Sequence, residues 1–216
     1  MSGTAELLKP TEAAVVSGVE LSIVNHAIDR ALPARLVRRG RGRGVSAEAC
    51  FYIAFYHASA SKLTADERRF AISEIDKRVE AADERSSLWG SLRRHCTVRH
   101  EYLVLNLEPF LTQTHHRWDR YLAARRAVEF DPEILGGAPV VAGTRVPVHD
   151  VAASVAAGLQ SERIRTAYPS LSDEQIELAS LYARANPLQG RPPERRMIEE
   201  AKVLSRRVVE RRRRKA

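Results

Sequence analysis

Between residues 129 and 151 the chain reads EFDPEILGGAPVVAGTRVPVHDV. Gly136, Gly137, Gly143, Pro139 and Pro147 interrupt short apolar runs so densely that no regular helix can span the stretch. It reads as a compact extended segment placed before a set of short helices. It offers no obvious machinery for an enzyme. Whatever the segment does, it shapes backbone.

The helices that follow are punctuated just as clearly. Residues 148–157 form the first and Gly158 stops it. Residues 161–168 form the second and Pro169 interrupts it. The third runs over 172–184, with Ser172 as N-cap, Asp173 and Glu174 in its first turn, and Ile176, Ala179, Leu181 and Ala183 as its apolar surface. Asn186-Pro187 ends it.

At the other end of the chain, residues 8–18 read as a short helix, started by Thr11 or a neighbour and stopped by Gly18. A second helix follows over 19–32, with Ile23, Val24, Ala27, Ile28 and Leu32 on one stripe, before Pro33. Its polar face carries Ser22, Asn25, His26, Asp29 and Arg30. Next come Arg35, Arg38, Arg39, Arg41 and Arg43, interleaved with Gly40, Gly42 and Gly44. Glycines allow a tight ribbon, and guanidiniums reach phosphates. Two short helices followed by a basic ribbon resemble the excisionase or MerR-like winged-helix class. The resemblance makes 8–14 the first helix, 21–31 the recognition helix and 36–45 the wing. It implies that Ser22, Asn25, His26, Arg30 and the five ribbon arginines contact DNA. Asn25 suits adenine and Arg30 suits guanine.

The middle is less distinctive. Residues 46–59 are apolar enough to be a core helix, and Thr64-Ala-Asp-Glu67 is a capping box that opens a helix to Glu80. Residues 81–91 read as an exit and loop. Val98, Tyr102, Val104 and Leu107 suggest one or two strands, and helix returns from 110 to 128. His95, His100, His115, His116 and Cys96 lack the spacing of a zinc framework, so no metal is expected. The two cysteines, Cys50 and Cys96, read as buried thiols.

The formal charge is +8, but residues 187–216 hold eleven Lys/Arg against four Glu. The body is therefore almost neutral and the end of the chain strongly basic. Met197, Ala201, Leu204 and Val208 recur there at helical spacing beside Arg206, Arg207, Arg211 and Arg212. This pattern fits an amphipathic helix that folds onto an acidic partner, either nucleic acid or a carboxylate-lined groove.

The C-terminal module resembles the small antitoxin module known as domain of unknown function 433. The residues that carry the likeness are Asp131-Pro132, Gly136-Gly137-Ala138-Pro139-Val140, Gly143-Thr144-Arg145-Val146-Pro147-Val148, Gly158-Leu159, Ile164, Tyr168-Pro169 and Leu171-Ser172. Ala138 departs from the family's usual Lys. The resemblance implies a VapB-like antitoxin that neutralises a PIN-like ribonuclease and represses its own operon. Met197, Ala201, Leu204, Arg206, Arg207, Val208, Arg211 and Arg212 would then hold the toxin. By residue chemistry alone, Gly136 and Gly137 serve a tight turn or a close approach. Gly143 and Arg145 serve the backbone or a phosphate, with Arg145 able to pair with Asp131 or Glu133.

The expected fold is mainly α with short β elements. A winged helix-turn-helix (1–46) leads to a mixed region that links and dimerises (47–128). A small helix-turn-helix-like module (129–186) and an extended basic tail (187–216) follow. The expected protein is a cytoplasmic, non-enzymatic homodimer without cofactor, membrane segment or metal. Its expected partners are double-stranded operator DNA and a ribonuclease toxin, the latter in a hetero-oligomer. A stand-alone dimeric transcriptional regulator is the alternative.

Overall fold

The computed structural model describes residues 7–81, 88–100 and 102–188, and the architecture among them is mainly α with three two-stranded sheets. The tail residues Met197 to Arg212 lie outside the described residues.

Helix α1 (Pro10–Ser17) starts where Pro10 occupies the first turn and Glu12 accepts the Lys9 N–H at 2.7 Å. It ends at Gly18, whose φ is +71° and whose N–H donates to the Ala14 carbonyl. Helix α2 (Leu21–Arg30) buries Val24, Ala27 and Ile28. A 3-10 turn (Ala34–Leu36) leads into a hairpin of β1 (Val37–Arg38) and β2 (Gly44–Val45), with Val37 opposite Val45. Leu8 does not begin the first helix, as its sequence context suggested. Its backbone pairs with Val45 through bonds of 2.8 and 3.0 Å and forms a bridge on the far side of the hairpin.

Helix α3 (Ala49–Ala58) is buried along its whole circumference from Ala49 to Tyr56. An all-apolar helix has no solvent face and must sit centrally. It packs on α1, α2 and α6 (Glu108–Arg126). Helix α4 (Ala65–Glu80) opens on the expected capping box: Thr64 Oγ1 accepts the Glu67 N–H, and Glu67 accepts the Thr64 N–H at 2.7 Å. Residues 81–91, a helix exit and loop by their sequence, include the start of helix α5 (Leu88–His95). Gly90 lowered the local helix signal, whereas Leu92 is fully buried and holds the turn against the core. Strands β3 (Thr97–His100) and β4 (Leu103–Asn106) form a hairpin in the register Val98 opposite Leu105.

One hydrophobic core runs from Leu8 to Tyr121 and closes with Ala185. Residues 1–46 and 47–128 therefore do not build separate cores. Two short helices cannot bury enough surface alone, and α3 fills the gap between them. The second cluster contains Val128, Val141, Val148, Val151, Ile164, Leu171 and Ile176. It is formed by β5 (Val128–Phe130), β6 (Pro139–Val141), α7 (Val148–Ala156), α8 (Ser161–Ala167) and α9 (Asp173–Ala185). Ser172 caps α9, accepting the Gln175 N–H at 3.2 Å. Helix α9 also packs on α1 and α6, so it joins the two clusters. Arg120 fastens that junction to Glu177 at 2.7 Å.

Candidate nucleic-acid interface

The polar face of α2 and the β1–β2 hairpin lie against each other, and arginines from the hairpin hold them together. Arg39 Nε donates to the Ile28 carbonyl at 3.1 Å. Arg43 Nη2 donates to the Asn25 carbonyl at 2.8 Å and lies 3.0 Å from Asp29. The Ile28 carbonyl lies in the last turn of α2, where carbonyls lack intrahelical partners and carry the negative end of the helix dipole, so the Arg39 guanidinium satisfies a local need. Arg43 holds the Asp29 carboxyl below its ordinary value through this hydrogen bond. Asp29 is the residue that sequence reasoning left out of the site. Its i+14 relation to Arg43 carries no periodic signal.

The hairpin loop turns through Gly40 (φ +85°) and Gly42 (φ +75°), with the Arg43 N–H donating to the Gly40 carbonyl. Gly44 has a different constraint. A Cβ there would sit 2.7 Å from the Leu8 carbonyl oxygen, so the close passage of the Leu8 segment excludes any side chain.

The nine residues singled out for DNA contact thus divide into three groups. Ser22, His26, Arg30, Arg38 and Arg41 are exposed, and among the described residues no ion pair occupies Arg30, Arg38 or Arg41. Asn25, Arg39 and Arg43 lie between helix and hairpin or bond across them; Asn25 and Arg43 are half-buried. Arg35 belongs elsewhere. Its guanidinium bonds both oxygens of Asp76 and lies 3.4 Å from Glu48, tying the 3-10 turn to α3 and α4. Burial pushes the Asp76 carboxyl up against the opposing pull of Arg35. Arg35 is therefore committed to the core's edge.

In the C-terminal module β5 pairs with β6, Val128 opposite Val141. The chain then reverses at 141–144. The Thr144 N–H and Oγ1 both donate to the Val141 carbonyl, with Gly143 at φ +72°. A positive φ at that position of a tight turn calls for glycine. The Gly143 N–H also reaches Glu129 Oε2 at 3.3 Å. Gly136 (φ +66°) and Gly137 (φ +81°) likewise form a turn, and no backbone crowds Gly136. Arg145 is exposed and pairs with neither Asp131 nor Glu133. The backbone role expected of Gly143 is seen, while Arg145 takes none of the intramolecular pairings considered for it.

His100 stacks on Phe70 at 4.1 Å and His115 on Trp89 at 4.8 Å, so both histidines serve packing. Cys50 and Cys96 are buried free thiols. A cleft of 690 Å³ opens between α1, α6, α7 and α9, lined by Val15, Arg117, Val155, Ser180 and Arg184. Among the described residues its buried Ser180 hydroxyl has no hydrogen-bond partner. Among the described residues no helix is long and apolar enough to cross a membrane.

Residues 128–183 match the family described as "Protein of unknown function (DUF433)". The chain is also 52% identical over 193 residues to the uncharacterized protein y4eO of Sinorhizobium fredii, covering 88% of this chain and 86% of the relative. It belongs to the same family. Family membership therefore extends through both hydrophobic clusters, well beyond the DUF433 segment. A crystal structure of Rv2018 from Mycobacterium tuberculosis aligns with 80% of this chain and 96% of its own at 17% identity, with a TM-score of 0.34. That value is too low to support any argument from likeness.

Proposed function

We propose that the protein binds double-stranded DNA through α2 and the β1–β2 hairpin, as a winged helix-turn-helix repressor. The observation that carries this reading is the division among the arginines. Arg39 and Arg43 fix the hairpin to α2, and Arg30, Arg38 and Arg41 remain exposed beside it. A surface helix with no binding role would have no need of a cationic hairpin braced along it. In this arrangement α2 enters the major groove, Asn25 and Arg30 face base edges, and Arg38 and Arg41 rest on phosphates. Arg35 drops out of the contact set.

The finer reading is an antitoxin. The DUF433 segment and the basic residues beyond 187 support it, through the resemblance to antitoxins that neutralise PIN-like ribonucleases. Co-expression with the adjacent reading frame tests it, by co-purification and growth rescue. Rescue that is lost on deleting residues 189–216, with binding to the upstream DNA retained, is the expected result. A stable pair without rescue leaves a transcriptional regulator and removes the antitoxin.

A further inference from the structure

We propose that the cleft between α6, α7 and α9 binds a small aliphatic carboxylate, with Arg117 and Arg184 on its carboxyl group and the α7 wall along its chain.

Helix α9 packs against both α6 and α7 and so floors the cleft, which Val15 and Gly18 border at the end of α1. The two walls differ in chemistry. Helix α6 contributes His116, Arg117 and Arg120, all of them polar. Helix α7 and the turn after it contribute Ala152, Val155, Ala156 and Leu159, all of them aliphatic. Val155 is 38% exposed and Leu159 39%, so this wall leaves large apolar side chains in water.

The charges within the cleft do not balance. Glu177 is the one carboxylate among the described lining residues, and Arg120 holds it at 2.7 Å. Arg117 and Arg184 have no carboxylate partner among the described residues. Arg117 Nη1 donates to the Ser17 carbonyl at 3.3 Å. Its guanidinium lies over Gly18, so near that a Cβ there would sit 2.6 Å from Cζ. The bare glycine thus seats this cation against the backbone. Arg184 lines both the cleft and an adjoining groove of 390 Å³, and so do Val15 and Gly18. Residues shared by the two sit at their junction, which places Arg117 and Arg184 at the same end. Unpaired cations in a recess with apolar walls focus their field on an anion, and a guanidinium fork matches a carboxylate.

These features select the occupant. No Phe, Tyr or Trp lines the cleft, so a planar ring finds nothing to stack on. Cations on one side and a saturated wall on the other call for a charged head and an aliphatic chain. From Ile176 to Arg184 the α9 floor spans about 12 Å, the reach of a medium-chain acyl group. At 690 Å³ the cleft falls within the range of about 300–1,000 Å³ typical of small-molecule sites. It also lies where the two hydrophobic clusters meet, as such sites commonly do. The end of this chain is the wrong occupant by charge: residues 187–216 hold eleven Lys/Arg against four Glu and would meet like charge. A nucleic-acid backbone would cover the arginines and leave the aliphatic wall in water.

Calorimetric titration of the full-length chain with octanoate tests the site. Octan-1-ol supplies the chain without the charge, and inorganic phosphate the charge without the chain. Octanoate should saturate one site per chain and bind at least about tenfold tighter than either. Arg117→Gln/Arg184→Gln should weaken octanoate by at least about tenfold and leave octan-1-ol unchanged. Leu159→Asp, at an exposed position, should weaken both ligands without altering the melting temperature of the ligand-free protein. Absence of saturable octanoate binding by the wild type overturns the proposal. So does equal affinity for octanoate and either control, or an octanoate affinity that survives either variant.

Discussion

Arg35 and Arg43 are both arginines of one basic run, and only their partners distinguish them. Arg35 neutralises Asp76, which is buried, and leans on Glu48. Removing one member of a mostly buried pair strands the other charge, although the 34% exposure of Arg35 softens the penalty. Arg35→Ala should cost about 2 kcal/mol in denaturant unfolding, with no change in the salt dependence of DNA binding. Arg43→Ala should do the opposite: a smaller loss of stability and a clear loss of DNA affinity, because the hairpin is no longer held to α2. Fluorescence titration against a duplex, beside urea melts, separates the two. Such a division is invisible in sequence. The five arginines between 35 and 43 look alike there, and Asp76 is too distant along the chain to suggest a pairing. The position of Arg41 in a tight loop was readable because Gly40 and Gly42 flank it. The role of Asp29 was not, since its partner is set by how the hairpin folds back.

Elements with strong local signals were legible at their ends. Thr64 and Ser172 announced their helices by the side-chain chemistry of the cap, and the structure places both caps where the residues ask for them. Thr64→Ala should cost about 1 kcal/mol. The backbone N–H of Thr64 holds the Glu67 carboxyl below its ordinary value. A depressed carboxyl stabilises the folded state above its unfolded pKa, and that contribution disappears as pH falls through the folded one. The Glu67→Gln variant should therefore show a shallower acid-side loss of stability than the wild type in melts across the carboxylate range. Helix α5 escaped notice because Gly90 and the polar residues around it weaken a short helix that only tertiary contact sustains. The bridge of Leu8 to Val45 escaped for a related reason: its pairing is non-local, and a single bridging residue has no period.

At the scale of the whole molecule the boundaries, more than the elements, needed the structure. The winged-helix resemblance suggested a boundary at residue 46, but α3 packs on elements from both sides of it and seals one core. Ile53 is fully buried at the centre of that helix, so Ile53→Ala should cost about 2–5 kcal/mol and loosen the α1–α2–hairpin region and the middle region in a single transition. Separate transitions in calorimetry would mean two independent units. His149, in the first turn of α7, adds a pH term to the C-terminal cluster. Burial lowers its pKa, so the unfolded chain takes up the proton first. Stability present above the ordinary histidine pKa is then lost as pH falls through the folded value. His149→Gln should flatten that slope near pH 6 in thermal melts.

The central claim is that the exposed hairpin arginines hold DNA phosphates. It is tested most directly by the salt dependence of binding to a duplex from the upstream region, for the wild type and for Arg38→Ala/Arg41→Ala. The account predicts a linear fall of log K with log salt, and a slope smaller by about 2 in the double variant, with the melting temperature unchanged. Equal slopes for the two proteins, or no salt-dependent binding by the wild type, would contradict it.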